Sequence, residues 1–69
     1  MIDNQSIGET AGVVWQYLKE QGRTPLTTLQ RGIGAPSDAV LMAVGWLARE
    51  GKVELKQEKR TVNIKLTEE

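Results

Sequence analysis

Apolar residues in the first third of the chain recur with helical spacing. They are Ile7, Ala11, Val14 and Leu18, separated by four, three and four residues. This spacing places them on one side of a helix. Ser6 and Glu9 have the form of a capping box, and Gly22 is suited to end the helix. The pattern therefore predicts a first helix over residues 6–22.

Two more helices are predicted in the middle of the chain. Thr27 and Gln30 form a second possible capping box, which indicates a short helix over residues 27–34. Pro36 suits a first helical position and Ser37 a cap, so a third helix is expected over residues 36–51.

Beyond the third helix, apolar residues recur at every second position instead of every third or fourth. The alternating apolar residues are Val53, Leu55, Val62, Ile64 and Leu66. Period-two alternation predicts two strands with one common apolar face. The polar segment 57–60 joins them as an antiparallel hairpin over residues 52–67, and residues 68–69 form an acidic end. Thr24 is expected to be extended because it precedes a proline.

The predicted order is helix, extended segment, short helix, tight turn, longer helix and hairpin. This order is that of an α+β winged helix-turn-helix fold, with a C-terminal two-stranded antiparallel wing. We expect residues 1–69 to form a single domain with one small hydrophobic core.

Composition narrows the possible functions. Nine Lys and Arg balance nine Asp and Glu, and the chain contains neither Cys nor His. A thiol nucleophile, an imidazole base and the usual zinc sites are therefore excluded, and we expect no enzymatic activity, catalytic residue, metal or cofactor. We find no apolar run long enough to cross a membrane and no targeting segment, so we expect a cytoplasmic protein without membrane contact.

Two segments carry a family resemblance. They are residues 8–15, GETAGVVW, and residues 45–53, GWLAREGKV. Together they resemble the small bacterial and archaeal winged helix-turn-helix domain family of unknown function. The resemblance extends over about residues 7–66. It implies the fold, a DNA-binding ancestry and homodimers.

The third helix has an unusual outward face for a DNA reader. With Val40, Ala43, Val44 and Leu47 on the buried side, the opposite side carries Asp38, Leu41, Met42, Gly45, Trp46 and Arg49. Base edges are read by hydrogen-bonding side chains, which the centre of this face lacks. Leu41, Met42, Gly45 and Trp46 therefore indicate a protein interface. The alternative is that Trp46 packs under residues 1–5 or against the hairpin as part of the core.

Val13 and Tyr17 form a smaller apolar pair on the first helix. They lie one turn apart and outside the main apolar stripe. Two interpretations stay open: the pair extends the core by touching the hairpin, or it is a contact between the helices of a dimer.

Basic residues concentrate in the hairpin. Residues 52–65 contain five basic residues (Lys52, Lys56, Lys59, Arg60 and Lys65) against two acids, Glu54 and Glu58. Lys56, Lys59 and Arg60 could contact DNA phosphates, with Arg31 and Arg49 beside them on the helices. The alternative is a solvated hairpin whose lysines protect an edge strand from aggregation.

Two functions are compatible with these features. The first is a homodimeric, transcription-regulator-like module that binds double-stranded DNA weakly, in a salt-dependent way and mainly through the DNA backbone. The second is a protein–protein interaction module whose third helix presents an apolar interface instead of reading bases.

Overall fold

The computed structural model describes residues 2–67, so Met1 and the predicted acidic end at 68–69 lie outside the described residues. The elements are α1 (Asn4–Gln21), β1 (Thr24–Pro25), α2 (Leu26–Gly32), α3 (Ser37–Arg49), β2 (Val53–Glu58) and β3 (Thr61–Leu66). This order agrees with the prediction except for β1, which is a third strand.

Helix α1 begins at Asn4 because Asp3, not Ser6, is its N-cap. The Asp3 Oδ1 atom accepts a hydrogen bond from the Ser6 backbone N–H at 2.8 Å, and Ser6 Oγ accepts one from the Asp3 N–H at 2.9 Å. The predicted capping box of Ser6 and Glu9 is therefore wrong. Extending a formed helix by three residues is favourable, so the earlier cap prevails. Gly22 ends the helix with φ 75°, which a glycine adopts without strain.

Helices α2 and α3 begin after prolines and have no side-chain cap. Their N-cap residues are Pro25 and Pro36, with φ of −62° and −57°. The predicted capping roles of Thr27 and Ser37 are wrong, as is the assignment of Pro36 to the first helical position. A proline at the N-cap fixes the φ angle with which the chain enters the helix, without a side-chain hydrogen bond.

The sheet has three antiparallel strands in the order β1-β3-β2. The hairpin register pairs Val53 with Leu66, and β1 adds to the other edge of β3 by pairing Thr24 with Ile64. Thr24 is buried, and its Oγ1 donates a hydrogen bond to the Gly22 carbonyl at 2.7 Å. The expected extended segment is thus a strand.

Every helix and the central strand contribute a side chain with no exposed surface to the core. These side chains include Leu18 of α1, Leu29 of α2, Val40 of α3 and Ile64 of β3. Leu55 was expected on the same buried face. It pairs with Ile64, but its side chain is 49% exposed, whereas Val53, two residues earlier on the same strand, is buried.

Candidate nucleic-acid and protein interfaces

Helix α3 has one buried side and one exposed side, as its spacing predicts. Ala39, Val40, Ala43, Val44 and Leu47 are buried. The exposed residues opposite them, which we call the α3 face, are Asp38, Leu41, Met42, Gly45, Trp46 and Arg49. Three large apolar side chains of this face remain about half exposed: Leu41 at 48%, Met42 at 47% and Trp46 at 48%. Such a group of exposed apolar side chains on one helix is typical of an interaction surface.

Trp46 is not part of the core. Its side chain lines an open groove between α3 and α1, together with Gly8, Gly12 and Trp15. Gly45, beside it on the helix, has no other atom within 4 Å of where a Cβ would lie. An alanine would therefore fit at position 45, so packing within the described chain does not require a glycine there. A glycine inside a helix nevertheless costs about 1 kcal/mol of stability relative to alanine.

Val13 and Tyr17 have different surroundings. Val13 is 53% exposed, whereas Tyr17 is half-buried and packs against the core. The ring of Tyr17 covers Gly32 at the end of α2, where a Cβ would lie 2.8 Å from Tyr17 Cε2. Tyr17 therefore extends the core towards α2, a contact that neither sequence interpretation included.

The hairpin between β2 and β3 presents three exposed cations near its turn, Lys56, Lys59 and Arg60. None of them forms an ion pair within residues 2–67. The two acids of the hairpin do have partners. Glu54 pairs with Lys65 Nζ at 3.5 Å, and Glu58 accepts a hydrogen bond from the Asn63 amide at 2.6 Å. Because Asn63 is neutral, Glu58 keeps its charge, and the exposed end of the hairpin carries three cations against one anion.

Lys59 occupies the hairpin turn in a backbone conformation that most residues avoid. Its φ is 57°, in the left-handed region, and no other non-glycine residue of the described chain has a positive φ. A glycine would adopt this conformation more easily. A lysine at a strained position is a reason to look for a function of its side chain.

Arg31 and Arg49, the other predicted DNA-contacting residues, lie on different elements from the hairpin cations. Arg31 is in the last turn of α2, and Arg49 is the last residue of α3. Both are exposed. A cation at a helix C-terminus stabilises the helix by compensating its dipole, so both arginines have a structural role whatever they bind.

Two further groupings of charged residues were not predicted from the sequence. Arg23 lines a groove of the sheet with Glu54, Lys56 and Lys65, because the pairing of β1 with β3 places it there. In addition, Lys19 Nζ lies 4.9 Å from the ring centroid of Trp15, in the geometry of a cation–π contact. The first depends on long-range pairing, and the second is an i, i+4 pair that helical spacing could have indicated.

Within residues 2–67, no group of three His, Cys, Asp or Glu side chains is placed to hold a metal ion. In the same part of the chain, no helix is both long enough and apolar enough to cross a membrane.

Three helices followed by an antiparallel hairpin, with an additional short strand before the second helix, define a winged helix-turn-helix domain. The family model described as Winged helix-turn-helix domain (DUF2582) matches residues 1–66. The chain therefore belongs to this family, as its sequence resemblance indicated. The hairpin is the wing, and α3 is at the position of the recognition helix.

Relatives and solved structures agree with this assignment. The uncharacterized protein MJ1608 of Methanocaldococcus jannaschii is 44% identical over 63 residues, which cover 87% of this chain and 89% of that protein. The solution NMR structure of BT2368 from Bacteroides thetaiotaomicron is 32% identical and has a TM-score of 0.83. The alignment covers 94% of this chain and 79% of that one.

Two similar structures are described in terms of DNA. The Zalpha domain of Carassius auratus PKZ in complex with Z-DNA has a TM-score of 0.77 at 21% identity, covering 90% of this chain and 98% of that one. A HOP2 structure described by its DNA recognition and protein interaction domains has a TM-score of 0.70 at 27% identity, covering 83% and 97%. These matches confirm the α+β winged helix-turn-helix fold.

Proposed function

We propose that this protein is a non-enzymatic, homodimeric, transcription-regulator-like module that binds duplex DNA weakly through its wing. The observation that carries the proposal is the group of exposed cations Lys56, Lys59 and Arg60, which have no ion-pair partner within residues 2–67. Phosphate contacts need positive charge and no particular base sequence. The similarity to HOP2, described by its DNA recognition domain, supports DNA as the ligand.

The composition of α3 supports binding that is largely independent of sequence. In a base-reading helix, side chains such as Arg, Asn or Gln donate or accept hydrogen bonds at base edges. The centre of the α3 face offers Met42, Gly45 and Trp46 instead. We therefore propose that the DNA backbone, contacted by the wing, supplies most of the affinity, with Arg31 as an additional phosphate contact.

The half-exposed Leu41, Met42 and Trp46 favour a second function for the recognition helix. Exposed Trp and Met are enriched in protein interfaces, and a neighbouring glycine allows close approach of another chain. We propose that α3 is a protein interface and that DNA contact is left to the wing. The two functions are compatible because they use different elements.

The DNA proposal is tested by reversing charge at the wing. We expect Lys59→Glu combined with Arg60→Glu to weaken binding of a labelled random-sequence duplex by at least about tenfold at about 50 mM salt. With three wing contacts to phosphates, the logarithm of the binding constant should fall with the logarithm of salt concentration with a slope of about −3 for one bound protomer, and of about −5 for a dimer that binds with both wings. Fluorescence anisotropy during a salt titration measures both quantities.

A matched control makes the same change of net charge elsewhere. The control variant combines Lys19→Glu in α1 with Lys52→Glu just before β2. Both reversed charges lie beside Trp15, far from the turn of the hairpin. We expect this variant to lose less than about threefold in affinity, because separated surface charges are screened. Equal losses in both variants, or no binding by the wild type at low salt, would exclude a wing-directed site.

A further inference from the structure

The charges of the α3 face stand at its two ends. Asp38 lies in the first turn of the helix, and Arg49 is its last residue. They lie eleven positions apart, which is about three helical turns, so both side chains lie on the same line of the helix surface to within about 20°. Both are exposed, and neither forms an ion pair in the described part of the chain. One end of the face is thus negative and the other positive.

The apolar residues of the α3 face are arranged symmetrically between these charges. The midpoint between Asp38 and Arg49 lies between residues 43 and 44. Met42 and Gly45 are equally distant from this midpoint, and so are Leu41 and Trp46. A helix turned end over end about this midpoint therefore presents a cation where the first helix has an anion.

We propose that the partner of the α3 face is the same face of a second copy of this chain, packed antiparallel about a two-fold axis. In that arrangement Asp38 lies opposite the partner's Arg49, and the ion pair occurs twice because the interface is isologous. Leu41 lies against the partner's Gly45. Met42 lies against the partner's Trp46, in a sulfur–aromatic contact.

Gly45 fits this arrangement independently of the charges. Within the described chain nothing lies within 4 Å of the position of its missing Cβ, so no internal contact requires a glycine. A second α3 packed on this face does require a small residue, because the side chain of the partner's Leu41 needs space there. The glycine also stands close to the centre of the proposed symmetry.

A duplex is a poor alternative occupant of the same surface. Asp38 would face phosphates with like charge, and the apolar centre offers no hydrogen bonds to base edges. A second copy satisfies both charges and covers the apolar side chains. The six residues of the face are fewer than the 20–30 per partner in standard interfaces, so we expect a dimer that dissociates on dilution.

This inference rests on the homodimer of the proposed function and names its interface. It also assigns Arg49 to the partner's Asp38 and away from DNA. The wings follow the C-terminal ends of α3 and would lie at opposite ends of the paired helices, which leaves both wings free for a duplex.

Charge exchange tests the pairing directly. We expect Asp38→Arg and Arg49→Asp, made separately, each to raise the dimer dissociation constant by at least about tenfold, since each places like charges together twice per dimer. In the double variant opposite charges face each other again, so its dissociation constant should return to within about threefold of the wild type. Sedimentation equilibrium without DNA, from micromolar to millimolar protein, measures all four proteins.

A loss of folding would not produce the recovery of dimerisation that is expected in the double variant. Both substitutions oppose the α3 dipole, and these effects add in the double variant, so a fold effect would make it the weakest dimer of the four. Circular dichroism melting at low concentration follows the fold separately. A Val13→Glu variant changes an exposed apolar residue of α1 and serves as the control for the other helix, with dimerisation expected to stay within about twofold of the wild type.

The outcomes separate this inference from the proposed function. The α3 pairing is overturned if the charge variants have the same dimer dissociation constant as the wild type, or if Val13→Glu alone breaks the dimer. The homodimer would then form through another surface. A wild type that is monomeric at millimolar concentration overturns both the pairing and the homodimer. In either case the anisotropy experiment on the wing still decides DNA binding by itself.

Discussion

At the scale of single residues, the surroundings of two helical glycines determine how replacement by alanine would change stability. At Gly32 a Cβ would lie 2.8 Å from the Tyr17 ring, whereas at Gly45 it would meet nothing within 4 Å. Both positions are helical, so helix propensity favours alanine at each. Gly32 ends α2 and lies against the Tyr17 ring, whereas Gly45 is inside α3 and has no such neighbour. Nothing in the sequence around the two glycines indicates this difference.

We expect the two alanine variants to change stability in opposite directions. Gly45→Ala should raise the free energy of unfolding of the monomer by about 1 kcal/mol, through helix propensity alone. Gly32→Ala should lower it by up to about 1 kcal/mol, because the outer edge of the half-buried Tyr17 ring must move away from the new Cβ. Urea denaturation at low micromolar protein measures both. A Gly32→Ala variant as stable as the wild type would contradict the close contact, and Tyr17→Leu in the same chain should relieve it.

At the scale of elements, the wing combines a strained turn with an exposed positive charge. Lys59 has φ 57° between the paired strands β2 and β3. The left-handed conformation costs a non-glycine residue about 1–2 kcal/mol. Stability and the proposed DNA contact therefore favour different residues at this one position.

We expect Lys59→Gly to stabilise the fold and weaken DNA binding. Relief of the strain, less the greater freedom of glycine in the unfolded chain, should raise the free energy of unfolding by about 0.5–1 kcal/mol. Loss of the cation should lower duplex affinity, as anisotropy at low salt would show. Lys59→Asn, which tolerates the same backbone conformation without a charge, is the control and should bind as weakly as the glycine variant. Unchanged affinity in both variants would mean that Lys59 does not contact DNA.

The elements themselves could be predicted from the sequence because their signals are local. The spacing of Val14 and Leu18 indicated α1, and the alternation of Ile64 and Leu66 indicated β3. Helix caps were less predictable because Asp3 and Ser6 are both suitable residues one turn apart. The strand β1 could not be recognised, since two residues show no periodicity and its pairing partner lies about forty residues further along the chain.

At the scale of the whole molecule, stability depends on a core of few side chains. A chain of 69 residues is expected to have a free energy of unfolding of about 3–10 kcal/mol. Leu18 has no exposed surface and belongs to the single core that joins the helices to the sheet. Any loss there is a large fraction of the total.

Leu18→Ala should therefore lower the free energy of unfolding by about 2–5 kcal/mol and leave a measurable unfolded population in dilute buffer. Leu41→Ala is the matched control. It removes the same atoms from a side chain that is 48% exposed, so it should cost less than about 1 kcal/mol below the concentration of dimerisation. Thermal and urea unfolding followed by circular dichroism give both values. Similar losses in the two variants would contradict the difference in burial.

The sequence alone determined the order of the helices and the wing, the buried side of α3 and the unusual composition of the α3 face. Each follows from residues close together in the chain, where helical or strand periodicity acts directly. Tertiary structure decided what the outward residues meet: Tyr17 covers Gly32, Trp46 stays half exposed, and Lys65 pairs with Glu54. Periodicity places a side chain on a face, but only the packing of distant segments decides whether another element covers that face.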